Sequence, residues 1–578
     1  MRIAHLPMLA LAFLLPAAFG ACSGGDDSRK ALAADGGVLA YIPADTPYAF
    51  AAAVPLPDDV RDKLAGSNRE IVQTYVRLLK SVFEQAAKKE GATGEELELA
   101  RRSGAIVDAV AELVTPEGIP AAGIDRDSTG ALYGVGLLPV LRLTLSDAAL
   151  FESTFAKLEA EAGARMDKAS LAGHDYRYTD AGEARFVVAA NDGQLVVTVI
   201  PRELEEHLFE AVLGIRAPAR NIAQAGTLAA LADKYGYQGY GVGFFDIERV
   251  TATFLDEPSD VDGALLSLAE YDAAELSDVC RAEIRSFAAV APRLVTGYTD
   301  VTGERLRSNT VIELRGDLAA GLAALTAPVP GLGGPQDALL SFGMSIDALA
   351  AREFYSARLD AVEADPWECE LFADLQQGMS GGRALLEQPI PPIAYSFHGF
   401  LAVIDDIAGF DIQAGTPPDE IDMRFLVATE NAPGLFAMGA MFSPEVAALD
   451  LKPDGKAVKL PLPPIAPPLE DAWVAMSPEA LAIAVGNGGG GKLEAMLAAA
   501  PSQPSPFMSM NMDAGRYYSF LGEAMSVTRD DDDETSAEVA RATSEMMSTF
   551  GRIFSRIIVD VNFTERGIEI PSTVLLAD

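Results

Sequence analysis

Cysteine, histidine, tryptophan and basic residues are all scarce in this sequence. The 578 residues include 3 cysteines, 2 tryptophans and 4 histidines, and none of these stand at the short spacings that metal sites use. We therefore expect no metal. The 44 basic residues face 84 acidic ones, which gives a formal net charge of −40. Nucleic acid and anionic lipid repel a polyanion, so neither is an expected partner.

Long apolar runs are also lacking, except for one at the N-terminus from Ala4 to Phe19, after a single early arginine. This run is too short and wrongly flanked for a spanning helix. The small residues Gly20 and Ala21 that follow it are typical of a secretory signal peptide. Cys22 comes next, so the segment resembles the signal peptide of a bacterial lipoprotein, although leucine is usual where Phe19 stands.

The resemblance implies that residues 1–21 are removed and that Cys22 carries lipid as the first mature residue. Ser23, which is not an aspartate, implies sorting to the outer membrane of a Gram-negative cell, with the body facing the periplasm. Residues 22–37 are then expected to form an acylated, flexible tether. The alternative is an ordinary signal peptide followed by a chance cysteine.

The remaining cysteines, Cys280 and Cys369, form an even pair in a chain that the signal peptide directs to an oxidising compartment. We expect a disulfide between them. It would close a long loop, which in the chain-entropy model stabilises the fold by about 4 kcal/mol. The alternative is two buried free thiols.

The stretch GNGGGGK, residues 486–492, is close to a phosphate-binding P-loop. It lies between a predicted strand and a predicted helix, as such a loop does. However, Leu493 stands where a serine or threonine would hold Mg²⁺, and the periplasm implied by the signal peptide lacks ATP. We interpret the loop as structural and expect no cofactor.

The two halves of the sequence resemble each other. Residues 184–213 and 471–497 both predict strand, turn, strand, turn and helix, and the turn Asn191-Asp192-Gly193 is a strong hairpin signal. A second shared pattern, in which a strand, an acid and a helix follow one another, occurs around Asp246 and around Asp513. The glycine loop therefore occupies the place of an ordinary strand-to-helix turn.

This likeness divides the chain into module one, residues 38–320, and module two, residues 338–578. The stretch 321–337 between them is rich in proline and glycine, so we expect a linker there. The strands alternate, many are joined by hairpins, and helices stand between strand pairs. This predicts an α+β fold with antiparallel sheets and helices on one face.

One stretch, GMSGG at residues 378–382, fits the G-x-S-x-G pattern of the serine hydrolase elbow. The elbow needs a strand before the serine, whereas residues 369–377 predict a helix. His398 is the only later histidine. We interpret the glycines as the C-terminus of a helix and keep a hydrolase centred on Ser380 as an alternative.

Other stretches favour structural roles. The acidic run 530–534 lacks the spacing of a calcium loop, and the proline-rich stretch 459–470 predicts an extended connector or edge segment. Tyr235, Tyr237 and Tyr240 precede a predicted strand and are expected to pack on the sheet.

Together these features predict a non-catalytic, lipid-anchored protein with a binding or scaffolding role at the cell envelope. The expected partners are the membrane, through lipid on Cys22, and an envelope protein or an apolar ligand. The first alternative is a carrier or chaperone for apolar ligands such as lipids, with a groove between the modules. The second alternative is the hydrolase centred on Ser380.

Overall fold

A computed structural model gives the structure of most of the chain. The described residues are 25–64, 115, 117–124, 127–163, 165–389, 395–409, 418, 420–460, 471–526 and 534–577. Cys22, the acidic run 530–533 and the proline-rich stretch 461–470 lie outside them.

The strands alternate with helices along the chain. The strands are β1 (Tyr48–Ala52), β2 (Gly130–Val135), β3 (Leu138–Thr144), β4 (Asp167–Leu171), β5 (His174–Ala181), β6 (Ala184–Asn191), β7 (Gln194–Pro201), β8 (Val242–Asp246), β9 (Arg293–Thr302), β10 (Arg305–Glu313), β11 (Leu340–Ser345), β12 (Phe397–Ala408), β13 (Glu420–Thr429), β14 (Val458–Lys459), β15 (Ala472–Met476), β16 (Ala480–Val485), β17 (Met508–Asp513), β18 (Phe554–Thr564) and β19 (Gly567–Leu576).

The α-helices are α1 (Gly25–Ala31), α2 (Gly118–Ala121), α3 (Ala148–Ala162), α4 (Glu206–Leu213), α5 (Ile222–Ala225), α6 (Thr227–Tyr235), α7 (Ile247–Leu255), α8 (Asp260–Leu268), α9 (Asp278–Ala288), α10 (Gly316–Ala323), α11 (Ala348–Ala364), α12 (Ala373–Leu386), α13 (Ala432–Phe442), α14 (Pro444–Ala447), α15 (Gly489–Ala498), α16 (Ala514–Ser526) and α17 (Glu534–Ile553). A 3₁₀ helix spans Gly37–Tyr41.

All of these strands join one antiparallel sheet. Its order is β4-β5-β6-β7-β3-β2-β1-β8-β9-β10-β19-β18-β17-β11-β12-β13-β16-β15-β14. An antiparallel sheet whose strands are interrupted by helices is an α+β fold, so the expected fold class is confirmed.

The halves of the chain meet in the middle of this sheet, where β10 pairs with β19 along nine residues. Outward from that pair the order is β9-β8-β1-β2-β3-β7-β6 on one side and β18-β17-β11-β12-β13-β16-β15 on the other. The two-module repeat stays a prediction. The matching strand order on the two sides of the sheet is consistent with it.

One face of the sheet, which we name the covered face, carries the main cores. In the first half α4, α5, α6 and the 3₁₀ helix pack on it around Phe244, Val295 and Val311. In the second half, α15 and the stretch that the sequence predicted as a linker pack on it around Leu401 and Leu426. Val329, Leu332 and Ala338 are part of that core, so this linker is a packed segment.

The opposite face, which we name the open face, carries three smaller apolar clusters among the described residues. Near its middle, Val60 packs with Leu306 of β10 and Leu576 of β19. On one flank α3 packs through Phe151 against Val188 and Leu195. On the other flank α13 packs through Ala432 and Phe436 against β15 and β16. The sequence predicted helices on one face, but they pack on both, because both faces present apolar side chains.

The expected tether is shorter than predicted, because α1 belongs to the folded body. Ser28 and Leu32 are both fully buried. Arg29 donates hydrogen bonds to the carbonyl oxygens of Tyr237 and Gly236, at 2.9 and 3.2 Å. These contacts fix the chain from about residue 28 onward, so residues 28–37 are not a free tether.

Aspartates stand at the strand-to-helix junctions and cap the helices that follow. The side chain of Asp246 accepts from the Arg249 backbone N–H at the start of α7. Asp513 accepts in the same way from the Arg516 N–H. Each carboxylate satisfies a backbone donor that the first helical turn leaves unpaired.

Candidate functional site

The open face is apolar along nearly its whole width. Because the strands are in register, side chains from successive strands form continuous cross-strand rows. One row runs across fifteen strands and holds no charged residue: Leu481, Val427, Phe400, Met344, Met508, Val561, Ile570, Thr310, Thr296, Gly243, Phe50, Leu132, Leu141, Val197 and Val188. With strands about 4.8 Å apart, such a row is about 65 Å long.

The second half of the open face is the richest in aromatic and methionine side chains. A second row there contains Ile483, Phe425, Ala402, Phe342 and Met510. Rings of Phe342 and Phe400 have centroids 5.9 Å apart, and those of Phe400 and Phe425 are 5.8 Å apart. Such a surface is soft and adaptable, since methionine side chains are flexible and polarisable.

Large side chains on this face remain partly in contact with solvent. Phe50 is 36% exposed, Phe245 and Phe342 are each 37% exposed, and Ile483 is 41% exposed. In an antiparallel sheet with one solvated face, that face is usually polar. A contiguous exposed apolar face instead marks a site of interaction.

The strands β11 and β17 bury their serine and asparagine side chains, while Phe342 of β11 stays exposed. In β11, Ser341 and Ser345 are buried on the covered face while Phe342 points to the open face. In β17, Ser509 and Asn511 are buried in the same way. The polar groups have partners there, as when Ser345 Oγ donates to the Pro506 carbonyl at 2.8 Å. In a sheet that binds no ligand, we would expect the apolar side chains on the covered face and the polar side chains on the open face.

The centre of the open face carries hydroxyl groups beside the Val60 cluster. Thr296 and Thr310 lie in the long row, and their hydroxyls are hydrogen-bonded at 2.8 Å. Ser308 and Ser572 are paired across the neighbouring position of β10 and β19. A strip of neutral hydroxyls therefore separates two apolar arms.

The covered face holds a polar cluster where the halves meet. Glu313 on β10 accepts from Lys234 at 2.7 Å, from Arg293 at 2.9 Å and from the Tyr235 hydroxyl. Burial alone would raise the pKa of the Glu313 carboxyl. Hydrogen bonds from its three partners outweigh burial and lower that pKa to about 2.

The same cluster continues into the second half. Glu569 on β19 accepts from Asn309 at 3.0 Å and from Arg566 at 2.8 Å. The Arg566 guanidinium also lies 5.2 Å from the centre of the Tyr235 ring. Every carboxylate named here is held by protein donors, so the cluster serves as a clamp between the halves.

The tyrosines near this cluster pack as the sequence predicts. Tyr235, Tyr237 and Tyr240 are all buried. The rings of Tyr235 and Tyr237 stack with centroids 5.5 Å apart, and the Tyr237 ring covers Gly297 of β9.

The glycine loop has a packing reason for most of its glycines. Gly486 has a φ of 102° and lies against the backbone of Ile421, where a Cβ atom would approach the carbonyl oxygen to 2.7 Å. Gly489 and Gly490 lie under the Trp473 indole, at 2.9 and 3.1 Å from where their Cβ atoms would be. These contacts favour the structural interpretation.

Lys492, the lysine of the P-loop-like stretch, pairs within the protein. Its ammonium lies 3.2 Å from Asp405 Oδ2 and also binds Asp422. Asp405 in turn binds Arg424 at 2.7 Å. Burial lowers the pKa of the Lys492 ammonium, but the two aspartates outweigh burial and raise it.

Ser380 does not stand in an elbow. It lies inside α12, and its hydroxyl donates to the Gln376 carbonyl at 3.2 Å. His398 lies on β12, where its Nε2 is 3.8 Å from Glu430 Oε1. The expected helix C-terminus at residues 381–382 is wrong, since α12 continues to Leu386.

Cys280 and Cys369 form a disulfide that joins α9 to the segment before α12. Glu283 strengthens this junction by accepting from the backbone N–H groups of Glu368 and Cys369, at 2.8 and 3.0 Å. A shallow pocket of about 360 Å³ adjoins the disulfide and includes Ser380. No histidine lines this pocket.

Comparisons with known proteins give no relative. No protein-family profile matches the chain, and no curated protein and no solved structure shows significant similarity to it. The function proposed below therefore rests on the sequence and on the geometry.

The described residues hold neither a cluster of metal ligands nor a helix fit to span a membrane. No three or more His, Cys, Asp or Glu side chains among them group as metal ligands would. None of the helices in these parts of the chain combines the length and the apolarity needed to cross a bilayer.

The open face is the feature that the sequence did not reveal. Its signal lies in strands such as MSMNMD, residues 508–513, whose alternation is clear but does not tell which side is covered. Only the packing of the helices decides that the serine and asparagine side is buried.

Proposed function

We propose that this protein is a non-catalytic binding protein of the cell envelope and that its open face binds the apolar chains of a lipid-like ligand. The observation that supports this most strongly is the burial of polar side chains in β11 and β17 beside an exposed phenylalanine. Ser345 and Asn511 are buried while Phe342 is left 37% exposed. A bound apolar chain would remove Phe342 and its neighbours from water and so complete the fold.

Contact between an apolar chain and the open face should have a favourable free energy. Each methylene group transferred from water to an apolar surface contributes about 0.8 kcal/mol, and the arms of the open face are long enough for an extended acyl chain. The hydroxyls of Thr296, Thr310, Ser308 and Ser572 suit an uncharged polar group between apolar parts. This proposal joins the binding role to the carrier alternative, which differ only in whether the ligand is passed on.

We further propose that lipid on Cys22 anchors the protein to the outer membrane, with the body facing the periplasm. The support is the layout of residues 1–23, with an early arginine, an apolar run, small residues and then the cysteine. An oxidising compartment also suits the Cys280–Cys369 disulfide.

Two carboxylates placed in the second half of the open face test the ligand site. We expect Phe342→Glu combined with Phe400→Glu to weaken binding of the apolar fluorescent probe N-phenyl-1-naphthylamine by at least about tenfold, because a charge in an apolar contact is costly. The matched control is Leu385→Glu, at a residue that is 67% exposed on α12. If the probe bound both variants and the parent with equal affinity, the open face would not be its binding site.

A second measurement asks what the protein carries in its own membrane. Native mass spectrometry of the gently extracted full chain should find a non-covalent lipid-sized adduct, and the double glutamate variant should lose it. Protein that is bare, or bound only to another polypeptide, would contradict the lipid-like ligand and favour a scaffold.

A further inference from the structure

The helix α13 is unusual in being apolar on its outer side as well as its inner side. Its sequence APGLFAMGAMF, residues 432–442, contains no charged residue in a chain of net charge −40. Its inner side packs through Phe436 against the flank of the open face. On its outer end, Met441 is 81% exposed and Phe442 is 86% exposed.

The helix at the matching place in the first half shows that the fold does not require this composition. The helix α3 follows β3 as α13 follows β13, and it too packs on a flank of the open face. Yet α3 carries the charged residues Glu152, Lys157 and Glu159. The apolar outer side of α13 is therefore a local property and calls for a local reason.

The chain turns sharply at the end of α13. Ser443 ends this helix and caps the next one, with its hydroxyl accepting from the Val446 N–H at 3.3 Å. Met441 and Phe442 therefore stand at a corner between two helices. A corner of this kind presents its side chains at a tip, where they project from the body.

We propose that this tip, Met441 and Phe442, inserts into the hydrocarbon boundary of an uncharged or zwitterionic lipid bilayer. The end of α13 itself carries no charge, which suits hydrocarbon, and the exposed Glu445 of α14 would stay at the headgroup level. The net charge of the chain excludes a strongly anionic surface, because like charges repel. At 11 residues, or about 16 Å, α13 is too short to span a membrane.

This insertion gives the open face an orientation. Phe436 packs beside Leu481, where the long apolar row ends. A tip inserted in the bilayer would place that end of the row at the lipid surface. The proposal rests on α13 alone and does not require that the open face binds a ligand.

A tryptophan at the tip tests the insertion in the full chain. We expect the fluorescence of Phe442→Trp to be quenched by phosphatidylcholine vesicles whose acyl chains carry bromine, to about half or less, because the indole would reach the acyl region. The matched control is Leu150→Trp on α3, whose side chain is 40% exposed, and it should not be quenched. The unsubstituted chain supplies the background from Trp367 and Trp473.

Charges at the tip give a second readout. In protein prepared without lipid on Cys22, Met441→Glu combined with Phe442→Glu should reduce binding to unbrominated phosphatidylcholine vesicles by at least about tenfold, since two apolar side chains would no longer be buried. Both residues are exposed, so the fold should tolerate the change, which circular dichroism can verify.

Two outcomes would overturn the proposal. One is a Phe442→Trp emission that vesicles do not quench, or that they quench no more than the Leu150→Trp emission. The other is a concentration-dependent doubling of mass that the double glutamate variant abolishes, which would make the tip an interface between two copies of the chain. Failure of probe binding to the open face would leave both measurements unaffected.

Discussion

Glycines of the first turn of α15 differ in their surroundings, and this difference predicts opposite effects of one substitution. Gly491 has no atom within 4 Å of an added Cβ, so Gly491→Ala should stabilise the protein by about 0.5–1 kcal/mol through helix propensity. At Gly489 the Cβ would lie 2.9 Å from the Trp473 indole. Gly489→Ala should therefore destabilise by about 1–2 kcal/mol. Urea unfolding measures both, and equal effects would contradict the packing role.

The low pKa of the Glu313 carboxyl predicts that the free energy of unfolding depends on pH. Its folded-state pKa of about 2 lies below the ordinary value of 4.5. The stabilisation is therefore complete above pH 4.5 and is lost as the pH falls toward 2. The unfolding free energy of the parent minus that of Glu313→Gln should fall by about 2 kcal/mol between pH 6 and pH 3.

The control for this measurement is Glu248→Gln, which also removes one carboxylate but from an exposed position on α7. The difference in unfolding free energy between the parent and Glu248→Gln should change little between pH 6 and pH 3. If the difference in unfolding free energy between the parent and Glu313→Gln did not change with pH, the three donors would not hold the carboxylate in solution.

Single residues show how far the sequence leads toward the site. Leu493 after Lys492 argued against a nucleotide loop, and the pairing of Lys492 with Asp422 agrees with that interpretation. Phe342 could not be placed in the same way. Its alternation with Ser341 and Gly343 predicts a strand, yet it gives no sign that the polar side is the covered one.

At the level of elements, the disulfide between α9 and the segment before α12 is a stability prediction. It closes a loop of 89 residues. In the chain-entropy model such a loop contributes about 4–5 kcal/mol, and measured effects are commonly smaller. Replacing both Cys280 and Cys369 with serine should lower the unfolding free energy by about 2–4 kcal/mol.

Reductant supplies the control for that change. It should lower the stability of the parent to that of the double serine variant and leave the variant itself unchanged. A parent chain that is insensitive to reductant in the unfolding assay would contradict a stabilising bond.

Elements were predictable where local chemistry decides them. The hairpin at Asp192-Gly193 forms with both residues at positive φ, as the sequence predicts. The end of α12 was not predictable from its glycines. Gly378, Gly381 and Gly382 all stay helical, because a glycine ends a helix only when it adopts the left-handed conformation.

At the scale of the whole molecule, the halves share one sheet, and this predicts one unfolding event. Nine residue pairs join β10 to β19, and the Glu313 cluster and the disulfide cross the same junction. Calorimetry should find a single transition whose calorimetric and van't Hoff enthalpies agree. Two resolved transitions would mean that each half unfolds as a unit of its own.

The burial of α1 would limit the reach of a body anchored through Cys22, as proposed above. Ser28 is fully buried, and six peptide units separate it from Cys22. Because α1 begins at Gly25, three of these units are helical and the six together span at most about 15 Å. A body held by lipid on Cys22 would stay within that distance of its own bilayer. It would have to load and release any ligand at one membrane, and a second membrane would be served by another carrier.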